Sequence, residues 1–173
     1  MMNLKIIKII LPVILVIFLM GCELGNTPTS KVEEMLSKYQ TLDKDIDEDM
    51  DKVLDNYELS EEQRDRYRKI LERQYKNLVY DVKKETKDGD MATVEVEIEV
   101  MDYKKVIDRV ESEYSGSSDY GSSSYIDYKL SELEKAQDKI IYTVNLTCTR
   151  DSEGKWQVDN LTNLDVQKIE GMY

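Results

Sequence analysis

The residues best equipped for chemistry are two cysteines, Cys22 and Cys148, an acid-rich run from Asp43 to Asp51, and twelve tyrosines. Histidine is absent. That removes the commonest general base, the usual partner of serine and cysteine nucleophiles, and the commonest metal ligand. No Cys-x-x-Cys pair, Walker loop or Gly-x-Ser-x-Gly elbow occurs. The run Asp43-Lys-Asp-Ile-Asp-Glu-Asp-Met-Asp51 begins like a calcium loop. Such a loop needs Gly at its sixth position and a bidentate Glu at its twelfth, and this chain has Glu48 and Leu54 there. Ile46 and Met50 keep helical spacing, so a solvated acidic helix face is expected and no metal site. Tyr80, Tyr103 and Tyr142 fall where the periodicities below aim them at, or lay them over, one interior. They form a candidate ligand pocket, with ordinary packing as the alternative. An Asp–Tyr proton-transfer site of isomerase type would require a buried carboxyl with a raised pKa. No catalytic residue is assigned, no cofactor is expected, and the chain is not expected to be an enzyme.

Cys22 takes its meaning from what precedes it. Lys5 and Lys8 form a short positive region, Ile9 to Met20 an apolar run, and Gly21 a small residue. This is the order of a secretory signal. Twelve helical residues cover roughly 18 Å, short of the ~30 Å hydrocarbon core that a spanning helix must cross. Residues 1–21 are therefore expected to be a signal peptide. Residues 22–29, small and polar with Gly25, Asn26 and Pro28, are expected to be a tether. A Cys22–Cys148 bridge would have one end in that tether and constrain little. Cys148 sits on the apolar side of a predicted strand and is expected to be a buried small hydrophobe.

Leu19-Met20-Gly21-Cys22 resembles the lipobox of bacterial lipoproteins, with Met20 bulkier than that position usually holds. The resemblance implies diacylglycerol on the Cys22 sulfur, with palmitate-like chains, cleavage before Cys22, and a domain held on the extracytoplasmic face of the cell membrane. Two acyl chains suffice for stable anchoring, whereas one is marginal.

Loss of Lys5 and Lys8 would take the formal charge from −12 to −14, which disfavours nucleic acid and anionic lipid surfaces. The charge is unevenly spread. Residues 41–58 are strongly acidic, while residues 63–76 carry Arg64, Arg66, Arg68, Lys69, Arg73 and Lys76. Two neighbouring helices of opposite sign would relieve each other, and an anionic ligand on the basic helix is the alternative.

The elements that must position these residues follow from period. Ser30-Lys-Val-Glu33 reads as a capping box opening one helix of about seven turns, with its stripe running from Val32 through Tyr39, Leu42 and Ile46 to Tyr57. Ser60-Glu-Glu-Gln63 opens a second, with Tyr67, Ile70, Leu71, Gln74 and Leu78. Residues 77–85 and 93–101 read as strands joined by a turn at Asp88-Gly89. The second alternates cleanly, with Val94, Val96, Ile98 and Val100 inward. Helical spacing returns at Tyr103 to Tyr114 and at Ile126 to Ala136, around a Ser/Gly loop at 115–124 expected to be flexible and to bury nothing. Residues 139–150 alternate again, with Ile140, Tyr142, Val144, Leu146 and Cys148 inward. Trp156 and Val158 share a face of a short strand, and Thr162 or Asn163 caps a last helical turn.

The expected fold is α+β, in the order α-α-β-β-α-β-β-α, with residues 30–173 as one domain. Its two long leading helices would cover a curved antiparallel sheet of about four strands in two hairpins. The order resembles the cone shared by nuclear transport factor two-like and cystatin-like domains. With YDV…DGDMATVEVEIEV, DYKLSELEKAQDKIIYTVNLT, KWQVDNL and the closing EGMY, the chain is similar to small Gram-positive cell-surface lipoproteins of unknown function. That resemblance implies a non-catalytic binding or envelope-accessory module. An open cone would suit a small-molecule ligand, and a filled one a protein partner.

Overall fold

The chain is described here from a computed structural model covering residues 25–173; the expected signal peptide, Cys22 and the first tether residues lie outside the described residues. Helix α1 spans Pro28–Thr41 and starts ahead of the capping box expected at Ser30. Thr27 is its N-cap. The Thr27 hydroxyl accepts the Ser30 N–H and the Ser30 hydroxyl accepts the Thr27 N–H, both at 3.0 Å. Pro28 takes the first helical position, where a missing N–H costs nothing. Asn26 accepts the Trp156 N–H at 2.8 Å and donates to the Gly154 carbonyl at 3.2 Å. Of the expected tether 22–29, residues 26–29 thus belong to the domain.

The seven-turn helix is two helices. Leu42 adopts φ 51°, ψ 53° and closes α1, and Asp43 caps α2, Lys44–Asp55, by accepting the Asp45 N–H. The apolar stripe passes through this corner unbroken because Leu42 still packs against the core. Helix α3, Glu61–Lys76, opens with the expected Ser60/Gln63 capping box. Then come β1 (Val79–Asp88), β2 (Met91–Met101), α4 (Tyr103–Tyr114), α5 (Ser123–Lys135), β3 (Lys139–Arg150), β4 (Trp156–Val158) and α6 (Asn163–Ile169, capped by Thr162). The four strands form one antiparallel sheet in the order β1-β2-β3-β4. The α+β order expected from the sequence holds, with the first and the intervening helical regions each divided in two. The Ser/Gly stretch 115–124 is shorter than expected. Ser122 caps α5, Ser123 and Ser124 lie within it, and the Tyr120 ring stacks 4.9 Å from Tyr125.

Strand β1 carries a bulge. Val82 pairs with Val96, but Lys84 pairs with Glu95, so Lys83 is an extra residue. A one-residue slip exchanges the faces of everything that follows. Glu85 is thereby opposite inward Val94 and Lys87 opposite inward Ala92. The Glu85 carboxylate accepts the Thr29 N–H at 2.9 Å and the Thr29 hydroxyl at 2.7 Å, which places an anion at the start of α1 where the helix dipole favours it. Burial pushes this carboxyl up, but hydrogen bonds from Thr29 and Lys87 outweigh that and hold its pKa below the usual value. The Lys87 ammonium lies 5.9 Å from the Trp156 ring centre.

Two apolar clusters share α3 as a wall. The larger joins the inner sheet face, including Val94, Val96, Ile98, Val144, Leu146 and Cys148, to Val32 and Leu36 of α1, Met50 and Leu54 of α2, and Leu71 and Tyr75 of α3. The smaller joins Ile70 on the other flank of α3 to Tyr103, Leu130 and Leu133 of the α4–α5 hairpin. Gln74 lies between them, fully buried. Its carboxamide accepts the Met101 N–H at 3.0 Å and donates to the Ile169 carbonyl at 3.2 Å, tying the end of β2 to the end of α6.

Candidate functional site

The three candidate tyrosines do not surround one cavity. Tyr80 and Tyr142 both stand beside Ile98 across the sheet, half-buried against the larger cluster. Tyr103 belongs to the smaller cluster, where its hydroxyl accepts from Arg73 at 3.0 Å and donates to the Ile70 carbonyl at 3.3 Å. The inner sheet face between them is filled: Val94, Val96, Ile98, Val100, Val144, Leu146 and Cys148 are each 3% exposed or less. Alternation correctly assigned these faces. It could not say that α3 divides the interior.

The open grooves lie at the margins instead. One of about 660 Å³ runs between α1 and β4, lined by Asn26, Lys31, Met35, Lys38, Lys155 and Val158 among others. Its three lysines face acids: Lys31 with Glu34 at 2.7 Å, Lys38 with Asp45 at 3.7 Å, and Lys155 with Glu153 at 2.6 Å. A second, of about 420 Å³, lies along Val106, Arg109 and Ala136, and Arg109 there is paired with Glu132 at 2.7 Å. Neither groove gathers unpaired charge for an anionic ligand.

The acidic run is helix, as its spacing implies, and its charge is met by α3. Arg68 pairs with Asp47 at 2.7 Å and also with Asp51, while Arg64 pairs with Asp51 at 2.9 Å and Asp55 at 2.7 Å. Hydrogen bonds from Arg68 and then Arg64 hold the Asp51 carboxyl below its ordinary pKa. The other arginines of α3 face the α4–α5 hairpin. Arg66 grips Glu134 through two bonds, at 2.8 and 3.1 Å. Arg73 donates to the Leu133 and Glu134 carbonyls at 2.7 and 2.6 Å, serving the orphan acceptors that end α5. All four α3 arginines are thus committed to protein groups. Among the described residues, no group of three or more Cys, Asp or Glu is arranged to hold a metal ion.

Cys148 is buried, as expected. Its thiol lies 3.9 Å from the Pro28 carbonyl, and burial pushes its pKa up to about 11. Such a thiol is a packing group, not a nucleophile.

The most perturbed carboxyl was invisible in the sequence. Glu170, just past α6, is only 7% exposed. Burial pushes its pKa up to about 7, opposed by a hydrogen bond from the Tyr75 hydroxyl at 3.2 Å. Tyr75 packs edge-on against Tyr39 at 5.1 Å. Burial, then the proximity of Glu170, raises the Tyr39 pKa to about 12, and burial also raises those of Tyr75 and Tyr67. Met172 fills the space beside them, with the Tyr67 hydroxyl 3.7 Å from its sulfur. A buried carboxyl among tyrosines has the composition of a proton-transfer site, and Met172 of the same segment packs against both apolar clusters beside it.

No protein-family model and no curated protein matches the chain. Among solved structures it is similar to the crystal structure of a candidate lipoprotein (ycdA) from Bacillus subtilis, at 17% identity and a TM-score of 0.44. The alignment covers 87% of this chain and 50% of that one, so the chain spans about half the length of the protein it matches.

Proposed function

We propose that the chain is an extracytoplasmic lipoprotein, anchored by diacylglycerol on Cys22, whose domain is a non-catalytic module for binding a protein partner. The anchor rests on Leu19-Met20-Gly21-Cys22 behind an apolar run too short to span a bilayer. The choice of a protein over a small molecule is carried by one observation: the inner sheet face is filled, and the tyrosines that would have lined a pocket are split between two clusters. The cone-like architecture belongs to this reading as well.

The outer face of the sheet is its docking surface. Val79, Met91 and Ile141 are all more than half exposed there. Val79 and Ile141 flank Glu99 directly across the strands, and Glu95 and Glu97 stand on the same face. Glu97 and Glu99 are already paired with Lys83 at 2.7 Å and Lys139 at 2.6 Å, so the pattern fits a partner that docks chiefly through apolar side chains, with Glu95 left to meet a basic one.

Two experiments test the parts separately. Cys22→Ala should move the protein from the membrane fraction to the soluble fraction; continued sedimentation with membranes overturns the anchor. A photo-crosslinking residue at Ile141 in intact cells should give a discrete adduct that Glu95→Lys abolishes, while one at the exposed Tyr57 gives none. Equal adducts from both positions, or none from Ile141, overturn the docking surface.

A further inference from the structure

We infer that Glu170 is a proton-operated latch that holds the segment Glu170–Tyr173 across the seam between the two apolar clusters while neutral and releases it when ionised. The segment joins several of the elements that meet at this seam. The Gly171 carbonyl accepts the Lys104 N–H at 2.8 Å, so the start of α4 rests on it. Met172 packs against both clusters. The Tyr142 hydroxyl donates to the Tyr173 carbonyl at 2.6 Å, fixing the segment to β3.

The latch itself has no charge to hold it in. The groups that face or neighbour Glu170 are Tyr39 from α1 and Tyr67 and Tyr75 from α3. Tyr57 lies beyond Tyr67 at 5.5 Å between ring centres, and Asp49 of α2 acts on Tyr39. On its own helix, Lys168 donates to the Thr143 carbonyl and lies over the Tyr173 ring, and Asp165 serves the N-cap. Among the described residues no lysine or arginine pairs with Glu170. One tyrosine hydroxyl is its hydrogen-bond partner. A buried carboxylate so poorly compensated is driven toward water, and lifting the segment carries Glu170 there. Its pKa of about 7 puts this transition near neutrality.

Peroxide oxidation of methionine, mapped by mass spectrometry on the full chain, tests the latch, because thioether oxidation itself does not depend on protonation in this range. Met172 oxidation should rise about fivefold or more between about pH 5.5 and about pH 8.5, while exposed Met91 stays constant. Glu170→Gln should remove the pH dependence. Tyr75→Phe removes a hydrogen bond that favours the ionised form, so it should move the midpoint to higher pH; a merely structural tyrosine would raise oxidation at every pH without moving it. Met172 oxidation that is flat with pH in the unmodified protein overturns the latch. So does a pH dependence that survives in Glu170→Gln.

Discussion

Replacing Gly171 by alanine should be among the most damaging single-methyl additions in the molecule. Gly171 has φ +68°, and a Cβ there would lie 1.9 Å from the Met101 carbonyl oxygen and 2.6 Å from the Gln74 amide nitrogen. The left-handed backbone alone costs an L-residue about 1–2 kcal/mol. The methyl group must also displace both the end of β2 and the buried Gln74 amide. The latter breaks bonds to the Met101 and Ile169 carbonyls and leaves buried polar groups unpaired, at about 1–3 kcal/mol. Together Gly171→Ala should lose about 2–5 kcal/mol of stability. Gly154 supplies the control, since it has φ +79° with nothing within 4 Å of the would-be Cβ, so Gly154→Ala carries only the backbone penalty. Urea denaturation of both variants, with m-values unchanged, gives the comparison. If the two midpoints fall by the same amount, the close approach of Gly171 to Met101 is not what requires glycine.

Three further outcomes are expected. Stability should fall as pH rises from 4.5 through about 7: folded Glu170 keeps a proton that the unfolded chain releases, so folding is favoured below the unfolded pKa and loses about 3 kcal/mol across the window. Denaturation series across that window should show this slope flattened in Glu170→Gln. Glu85→Gln weakens the charge-assisted cap on α1 and should lower stability by about 1 kcal/mol, read as a reduced urea midpoint with faster amide exchange at the start of α1. The Cys148 thiol, buried and shifted up to about 11, should resist an aromatic disulfide reagent at neutral pH and react fully in denaturant; rapid labelling of the folded Cys22→Ala chain would contradict its burial.

Much of the architecture was legible because two periods carried it. The alternation from Thr93 to Met101 and from Lys139 to Arg150 named the inner face of both central strands, and the Ser60/Gln63 box marked the start of α3. Period failed where geometry changed without changing polarity. Leu42 turns the chain through a left-handed corner while remaining apolar and inward, so the stripe from Val32 to Tyr57 showed no break; the N-cap preference of Asp43 was the trace it left. The bulge at Lys83 was hidden because the slipped half of β1 is polar on both faces. The separation of Tyr103 from Tyr80 and Tyr142 was hidden for another reason: spacing gives a residue's face, but the division of the interior depends on how α3 sits between sheet and hairpin. Glu170 was beyond reach, since its burial is decided by Tyr39 and Tyr75, far away in sequence.

The supernumerary Lys83 lets a single strand serve two different neighbours. Upstream of it, β1 offers Tyr80 and Val82 to the greasy underside of the sheet. Downstream, the same side of the ribbon offers a carboxylate to the first turn of α1. Were Lys83 paired in register with Glu95, Glu85 would fall opposite outward Thr93 and face solvent, and the first turn of α1 would lose the carboxylate that accepts from Thr29. The hold on the start of α1 therefore depends in part on an irregularity in a distant strand.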